Sequence, residues 1–244
     1  MNYKEYGKEN QKTIVLLHGG GLSWWNYREA AELLQGDYRV ILPILDGHAG
    51  SDRSFTTIED NAAEIINLIR SDLGGSVFLL GGLSLGAQVA LEMLSQQDDV
   101  CEYAIIESAA VIPSKVTRAI IKPSLACSYR LIKQKWFAQL QFKSLRIKDE
   151  LFDDYYRDTC EITKEDMIAF LQANTSYTLK ASIKNTTADV RIYYGEKETR
   201  VIKQSAQRIK EKLPTASVTE LSGMVHGEFS INHAADYVKA ILSL

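Results

Sequence analysis

The ten residues VFLLGGLSLG at 77–86 give the clearest indication of the fold of this chain. The apolar run at 77–80 predicts a buried strand, and residues 87–94 have the spacing of a helix. Between them, GLSLG at 82–86 matches the pattern G-x-S-x-G. A tight strand–turn–helix connection needs small flanking residues and holds its central residue above the sheet edge. We therefore expect Ser84 to be an exposed nucleophile and not an incidental serine in a glycine-rich turn.

Short apolar runs recur on both sides of this motif. They predict further strands at 13–17, 38–42, 103–106, 190–194 and 217–221, with an edge strand at 3–6. Helical patterns lie between them, at 27–34, 57–73, 201–213 and 234–242. Such alternation indicates an α/β fold with a mainly parallel sheet of about seven strands and helices on both faces. Reactive side chains are then expected outside the carboxyl ends of the strands.

Residues 113–187 interrupt the alternation. The segment contains no good strand candidate and predicts helices at 114–135, 136–146, 150–160 and 164–183. An all-helical insertion between two strands of a parallel sheet suggests a lid over the functional edge. We expect a core domain made of residues 1–112 and 188–244, with a helical lid at 113–187.

The motif HGGG at 18–21 directly follows the strand expected at 13–17. Consecutive glycines let the backbone approach a ligand and direct N–H groups toward it. Acyl transfer develops negative charge on a carbonyl oxygen, which such donors stabilise. We expect the Leu85 and Gly20 N–H groups to form an oxyanion hole, with Gly21 as the alternative to Gly20. A phosphate-binding turn is disfavoured, because no accompanying Lys-Ser/Thr or G-x-G-x-x-G pattern is present.

A candidate base lies late in the chain, in the sequence GMVHG at 223–227. This loop separates the last expected strand from the last helix, so His226 can reach the edge that presents Ser84. A histidine there can take the serine proton and later return it to the leaving group.

A candidate acid follows the strand at 190–194, in the sequence GEKE at 195–198. A carboxylate at this position orients the imidazole and stabilises its cation, and Glu198 is the expected acid. Glu196 shares the loop but more readily points away from the histidine. Glu107, at the end of the preceding expected strand, is the principal alternative acid.

Together these motifs resemble those of the α/β-hydrolase fold superfamily, in its esterase, lipase and carbon–carbon hydrolase branch. The resemblance rests on HGGG, GLSLG, GEKE, the late His226, and DGHAGSD at 46–52. The order serine, acid, histidine is the one expected of this family. The sequence departs from the family's usual pattern at two places. Ala49 and Gly50 alter the usual spacing of the 46–52 loop, which we interpret as structural. The family also usually has Asp where Glu198 stands.

The resemblance implies a serine hydrolase that cleaves a small to medium, mainly apolar carboxylic ester or thioester through an acyl-enzyme on Ser84. It implies no cofactor and no metal. Carbon–carbon bond hydrolases and lyases occur on the same fold, so such a reaction on an anionic metabolite is the alternative. A non-catalytic ligand-binding protein is the alternative from another class, and the complete set of serine, acid and histidine argues against it.

Four aromatic residues near the glycine loop or in the expected lid are candidates for the substrate pocket: Trp24, Trp25, Trp136 and Tyr177. Packing within the protein is the alternative role for each of them. An aromatic lid over a glycine-lined site predicts a mainly apolar substrate.

Positive charge is concentrated in one segment. Residues 108–148 contain nine basic side chains and no acidic one, in a chain whose net charge is −3. A solvated helix face accounts for such a run. The alternative is attraction of an anionic group, such as a carboxylate or coenzyme A thioester substrate, or contact with an acidic surface.

The bulk composition excludes several classes of protein. A net charge of −3 provides no positive field to attract nucleic acid. The three cysteines form no CxxC pair and are interpreted as reduced thiols of a cytoplasmic protein. No signal segment is expected after Met1, and no apolar run approaches the ~20 residues of a membrane span. The sequence does not indicate an oligomeric state.

Overall fold

A seven-stranded sheet forms the centre of the protein, in a computed structural model that describes residues 1–244. Its strands are β1 (Tyr3–Tyr6), β2 (Thr13–Leu17), β3 (Arg39–Pro43), β4 (Val77–Leu83), β5 (Cys101–Glu107), β6 (Asp189–Gly195) and β7 (Ser217–Leu221). Their spatial order is β1-β3-β2-β4-β5-β6-β7. Only β1 runs antiparallel to its neighbour, and every other pair is parallel. The predicted mainly parallel sheet of seven strands is therefore confirmed.

Helices cover both faces of this sheet. They are α1 (Arg28–Leu34), α2 (Ile58–Asp72), α3 (Leu85–Gln96), α4 (Lys115–Ile132), α5 (Lys135–Leu145), α6 (Phe152–Glu161), α7 (Lys164–Asn174), α8 (Arg200–Lys212), α9 (Glu228–Asn232) and α10 (Ala234–Leu242). Alternate residues of β2 separate the two layers: Val15 and Leu17 belong to the apolar cluster of α2, α3 and α8, whereas Ile14 and Leu16 belong to that of α1 and α10. The period of two expected of a strand thus builds one core on each face.

Helix α7 is shorter than the sequence predicts, since the expected helix at 164–183 ends at Asn174. Thr175 Oγ1 donates to the Leu171 carbonyl at 3.0 Å, and Ser176 Oγ donates to the Gln172 carbonyl at 2.6 Å. These hydroxyl groups satisfy carbonyls of the last turn, as short polar side chains do near helix ends. A turn of 3-10 helix at Ala181–Asn185 follows as a separate element.

Between β5 and β6 the chain forms helices α4 to α7 and no strand. We call residues 113–187 the cap segment. Buried polar contacts fix it to the core: Trp25 Nε1 donates to Asp158 Oδ2 at 2.7 Å, and the Phe55 N–H donates to Asp166 Oδ1 at 2.8 Å. None of the helices combines the length and the apolar composition that a membrane crossing requires.

Gln88 of α3 binds the chain on both sides of helices α4 to α7. This side chain is fully buried. Its Nε2 donates to the carbonyl of Ala110 at 2.6 Å and to that of Asn174 at 2.9 Å. Asn174 Nδ2 donates in return to Gln88 Oε1 at 3.0 Å. One amide on the helix that follows Ser84 therefore binds the chain just before α4 and at the end of α7.

Candidate active site

Ser84 alone makes the turn between β4 and α3, because the strand ends at Leu83 and the helix begins at Leu85. Its φ of 53° and ψ of −109° lie in a region that residues with a side chain rarely adopt. Two backbone hydrogen bonds hold this strained turn. The Ser84 N–H donates to the Glu107 carbonyl at 2.9 Å, and the Ser84 carbonyl accepts from the Gln88 N–H at 3.0 Å.

Backbone contacts explain the glycines on either side of Ser84. A Cβ atom on Gly82 would lie 2.4 Å from the Gly86 carbonyl oxygen, and one on Gly86 would lie 2.1 Å from the Leu17 carbonyl oxygen. Neither position has room for a side chain, so the strand, the turn and the helix pack only with glycine there. The G-x-S-x-G spacing is thus a requirement of this sharp turn, as the sequence predicts.

His226 lies in the loop between β7 and α9, and it contacts the carboxylate of Glu198. His226 Nδ1 is 3.0 Å from Glu198 Oε2 and 3.2 Å from Oε1. The carboxylate accepts this hydrogen bond, so the proton of the neutral ring lies on Nδ1. The lone pair on Nε2 is then free to accept a hydrogen bond from a different donor. The Glu198 side chain is only 1% exposed, whereas that of His226 is 47% exposed. One edge of the ring therefore remains open to the cleft.

Ser108 provides a second hydrogen bond to the same carboxylate. Its Oγ donates to Glu198 Oε1 at 2.5 Å. Ser108 follows β5, has a positive φ of 56°, and donates its backbone N–H to the Tyr193 carbonyl at 2.9 Å. Glu198 is thus held between a hydroxyl group on one side and the imidazole on the other, which restricts its orientation.

Glu107, the alternative acid, is 2% exposed at the end of β5. Its Oε1 accepts from the Ser230 N–H at 3.3 Å, and its Oε2 has no hydrogen-bond partner. It makes no hydrogen bond to His226. Burial raises the pKa of Glu107 to about 7, although Ser230 and the nearby His226 favour its ionised form. Its position beside the first turn of α9 indicates a structural role.

The pKa of His226 is raised above its ordinary value. Burial of the ring in the cleft lowers this pKa, but the hydrogen bond and the negative charge of Glu198 outweigh that effect. The charge of Glu107 adds to the increase. Because almost half of the side chain is exposed, solvent screens part of the interaction.

Two backbone N–H groups near Ser84 are candidates for binding an oxyanion. Leu85 is the first residue of α3, where the N–H has no acceptor within the helix. The Gly20 N–H makes no hydrogen bond with the protein. A Cβ atom on Gly20 would lie 3.5 Å from Leu85 Cβ, so the two residues are neighbours. The Gly21 N–H donates to His48 Nε2 at 3.0 Å and is not a free donor.

Two neutral histidines hold this glycine loop. His18 Nε2 accepts from the Leu45 N–H at 3.1 Å, and His48 Nε2 accepts from the Gly21 N–H, so in each ring Nδ1 carries the proton and donates to a backbone carbonyl. Burial lowers the pKa of His18 to about 3 and that of His48 to about 4. Both rings therefore remain neutral near pH 7 and serve as fixed hydrogen-bonding spacers.

Two adjacent cavities that share lining residues lie at the candidate site, and Ser84 lines one of them. The smaller, of about 80 Å³, is lined by both Ser84 and His226. No hydrogen bond joins these two side chains in the structure, but they face one cavity. The larger, of about 240 Å³, shares Gly20, Leu22 and Leu145 with the first, and nine of its 13 lining residues are hydrophobic. We call it the apolar chamber. No Lys, Arg, Asp or Glu lines either cavity.

The four aromatic residues expected in the pocket lie elsewhere. Trp25 is buried and bonded to the cap, and Trp24 lies under the Arg28 guanidinium, 4.8 Å from its ring. Trp136 is 58% exposed, and Tyr177 lines a separate cavity beside Thr57 and Lys180. The aromatic residues that do line the apolar chamber are Tyr155 and Phe170. The aromatic character of these four residues, and their position near the glycine loop or in the expected lid, did not indicate which aromatic side chains line the site.

Three residues that support the site were not among those predicted from the sequence. Ser108 binds the acid, and only its place after β5 could have indicated it. His48 binds the glycine loop, although the 46–52 loop was interpreted as structural without this contact. Asn26 is the third of these residues, and its Oδ1 accepts from the Gly19 N–H at 3.2 Å. No group of His, Cys, Asp and Glu side chains has the arrangement of a metal site.

Known proteins with this architecture include several hydrolases. The chain is 22% identical over 256 residues to the uncharacterized hydrolase YugF of Bacillus subtilis (strain 168), with 97% of this chain and 93% of that protein covered. A thermophilic esterase from Thermogutta terrifontis superposes with a TM-score of 0.79 at 16% identity, over 99% of this chain and 91% of that one. MenH from S. aureus superposes with a TM-score of 0.80 at 18% identity, over 100% and 97% of the two chains.

The structural likenesses show a shared fold. A model of the alpha/beta hydrolase family matches residues 14–240, which include the glycine loop, Ser84, Glu198 and His226. The match spans most of the chain, and the sheet order, the strained serine turn and the late histidine loop agree with it. The chain therefore belongs to the alpha/beta hydrolase family.

Proposed function

We propose that this protein is a serine hydrolase that cleaves a small to medium, mainly apolar carboxylic ester or thioester through an acyl-enzyme on Ser84. The observation that carries the proposal is the hydrogen bond of 3.0 Å between Glu198 Oε2 and His226 Nδ1, in a ring that faces the same cavity as Ser84. This arrangement leaves Nε2 of a neutral imidazole available to accept the proton of an attacking hydroxyl group.

In the proposed reaction, Ser84 Oγ attacks the carbonyl carbon while His226 Nε2 takes its proton. The carbonyl oxygen becomes an oxyanion, which the N–H groups of Gly20 and Leu85 stabilise. His226 then gives its proton to the leaving alcohol or thiol, and the acyl group remains on Ser84. Water, deprotonated by His226, attacks the acyl-enzyme and releases the acid with Ser84 restored. Glu198 keeps its hydrogen bond to Nδ1 and stabilises the imidazolium.

The lining of the two cavities supports an apolar substrate. The apolar chamber begins at Gly20, beside the proposed oxyanion donors, and extends between the cap helices. An acyl chain bound there leaves the ester carbonyl near Ser84, in the smaller cavity. The absence of charged side chains from both linings disfavours the anionic metabolite of the alternative carbon–carbon hydrolase or lyase, because a buried anion requires a partner.

A covalent probe tests the nucleophile. A fluorophosphonate should label the wild-type protein on Ser84, located by mass spectrometry of the digested adduct. The Ser84→Ala variant should not react, and its kcat should fall on the order of 10⁶-fold. Ser54→Ala, which removes an exposed serine outside both cavities, serves as the control. Labelling of Ser84→Ala at another serine would contradict the assignment.

Substrate class is tested separately, with p-nitrophenyl esters and matched thioesters of graded acyl length. We expect turnover of neutral acyl esters and weak turnover of those with a carboxylate at the end of the acyl chain. Failure to hydrolyse any ester, with Ser84 nevertheless labelled, would favour the carbon–carbon hydrolase alternative. Absence of both labelling and turnover would favour a non-catalytic ligand-binding protein.

A further inference from the structure

The outer surface of the cap helices α4 and α5 is unusually apolar. Ten large hydrophobic side chains of the whole chain are exposed, and seven of them lie between residues 112 and 145. Five of them, Val116, Ile120, Leu131, Trp136 and Leu140, lie on α4 or α5 outside both cavities, whereas Ile112 precedes α4 and Leu145 lines both cavities. A single exposed apolar side chain needs no explanation, but several of them on two adjacent helices indicate an interaction surface.

Helix α4 has two apolar faces. Its buried face contains Ile121, Leu125 and Ile132, and two of these, Leu125 and Ile132, line the apolar chamber. Val116, Ile120 and Leu131 are spaced at i, i+4 and i+15, which places them along one side of the helix, away from the buried face. Val116 is 75% exposed. Packing within the protein therefore leaves this second face uncovered.

Helix α5 continues the pattern. Ala138 and Phe142 form its buried side, whereas Trp136 and Leu140, at i and i+4, are 58% and 59% exposed. Tryptophan is enriched where a protein meets the interface between water and lipid, because its ring is amphipathic. We call Val116, Ile120, Leu131, Trp136 and Leu140, with the basic side chains among them, the outer cap face.

Basic side chains alternate with these apolar residues along the sequence. Residues 108–148 contain nine Lys and Arg and no Asp or Glu, whereas the rest of the chain has 19 basic against 31 acidic side chains. Of the nine, only Lys148 forms a salt bridge, to Glu29. The other eight have no carboxylate within 4.0 Å, and they are Lys115, Arg118, Lys122, Arg130, Lys133, Lys135, Lys143 and Arg146.

These cations do not serve the candidate active site, since none of them lines the apolar chamber or the space before Ser84. Arg118 alone lines the separate cavity beside Thr57 and Lys180. Unpaired positive charge beside exposed aliphatic and tryptophan side chains, on helices that lie at the surface, is the combination that binds an anionic lipid surface. An acidic protein or a nucleic acid would match the charge but leave the apolar residues without a role.

We infer that the outer cap face docks on the surface of an anionic phospholipid bilayer. The helices lie on the bilayer, with Trp136 and the aliphatic residues at the level of the headgroups and the unpaired cations against lipid phosphates. The inner faces of the same helices line the apolar chamber, so docking brings the chamber next to lipid. The inference does not depend on the reaction at Ser84.

Vesicle binding tests it directly. The full chain is centrifuged with vesicles of phosphatidylcholine alone, or of equal parts phosphatidylcholine and phosphatidylglycerol. Binding to the anionic vesicles only, weakened by added salt, is expected. Each basic side chain near such a surface strengthens binding about fivefold, so the triple variant Lys122→Gln, Arg130→Gln, Lys143→Gln should bind roughly 100-fold more weakly.

Matched variants separate this surface from net charge and from activity. Lys8→Gln, Arg208→Gln, Lys239→Gln makes the same change in net charge at exposed positions elsewhere and should bind like the wild type. Trp136→Ser, Leu140→Ser should also lose binding. Ser84→Ala should bind normally, whether or not the proposed hydrolase activity is found.

Three outcomes would overturn the inference. The first is no binding to anionic vesicles, or equal losses in the two triple variants. The second is a dimer that forms without lipid and is abolished by Trp136→Ser, Leu140→Ser, which would make the face a contact between copies. The third is binding of RNA or an acidic polypeptide in the absence of vesicle binding.

Discussion

Glu198 Oε2 lies 3.0 Å from His226 Nδ1, while the other buried carboxyl group at this sheet edge, Glu107, makes no hydrogen bond to the ring. Glu107 is the last residue of β5, and Glu198 follows the neighbouring strand β6. Glu198 is bound by Ser108 and the imidazole, whereas Glu107 accepts from the backbone of α9. Geometry thus distinguishes two acids that the sequence left as alternatives.

The first prediction compares these two acids. Glu198→Gln keeps the shape of the side chain but removes the charge that stabilises the imidazolium, so kcat should fall roughly 10²–10⁴-fold with KM little changed. Glu107→Gln should lower kcat far less, because it does not touch the ring. Steady-state kinetics of both variants on the same ester measure kcat and KM and so identify which carboxyl group acts as the acid. If Glu107→Gln is the crippled enzyme, the acid belongs to β5.

The second prediction concerns pH. A protonated His226 cannot accept the Ser84 proton, so kcat/KM should decrease as the pH falls through the pKa of His226 in the free enzyme. Since that pKa is raised, the midpoint should lie above the ordinary histidine value of 6.5. Glu198→Gln should shift the midpoint to lower pH, because Glu198 is what raises it. An unchanged midpoint in this variant, measured on residual activity, would contradict the proposed pair.

The third prediction is one of stability. The pKa of Glu107 is about 7 in the folded protein against an ordinary 4.5, so between these values the folded chain keeps a proton that the unfolded chain releases. The free energy of unfolding should therefore fall as pH rises through this range, by on the order of 3 kcal/mol. Glu107→Gln removes the dependence and should stabilise the protein more at about pH 8 than at about pH 5.

Urea denaturation at the two pH values measures this difference. Glu9→Gln, which changes an exposed carboxyl group, is the control and should shift stability equally at both. A Glu107→Gln variant whose stability tracks that of the wild type across the range would show that Glu107 ionises freely in the fold.

The fourth prediction concerns the glycine loop. His48→Ala removes the acceptor of the Gly21 N–H and the ring that stacks on Phe170 with centroids 4.5 Å apart. The loop that presents Gly20 should become less ordered, and kcat should fall, though by less than the ~10²–10³ that loss of a donor itself costs. His233→Ala, at a partly exposed histidine, is the control. Wild-type kcat in a folded His48→Ala would show that the loop holds itself.

The fifth prediction concerns acyl length. Met167 lines the apolar chamber, and Met167→Trp replaces its side chain with a larger, aromatic one. We expect kcat/KM to fall for octanoyl and hexanoyl esters and to remain near wild type for the acetyl ester. Leu33→Trp, at an exposed position of α1, should leave the length profile unchanged. Equal losses for all esters would mean that the chamber does not hold the acyl chain.

Most of the sheet could be predicted from the sequence because its strands are short apolar runs that helices separate. The runs at 13–17 and 217–221 coincide with β2 and β7. Strand β4 extends to Leu83, beyond the expected end at 80, because two glycines continue the ladder with β2 and β5. Glycine lowers strand propensity in a sequence pattern, so only pairing between strands reveals this extension.

The site could be predicted as far as its motifs reach. Ser84, Glu198 and His226 lie in local patterns whose order is characteristic, and the structure brings them to one edge. Contacts between distant segments could not be predicted in this way. Ser108 and Glu198 are 90 residues apart, and Gly21 and His48 are 27 apart. Which aromatic ring lines a cavity depends on the angle at which the cap helices pack, and no local pattern encodes that angle.

The hydrogen bonds of Gln88 on both sides of helices α4 to α7 restrict how a substrate can enter. A lid that swings as one body needs two free hinges, yet here the chain at Ala110 and at Asn174 is fastened to the same buried amide. Rotation of the whole cap would break three hydrogen bonds inside the core at once. The chain just after α5 is fastened as well, because Asn232 of α9 accepts from the Lys148 N–H at 3.1 Å and donates to the Arg146 carbonyl at 2.7 Å. A substrate that needs a wider entrance can therefore gain it only by bending within the cap segment, between these fixed points.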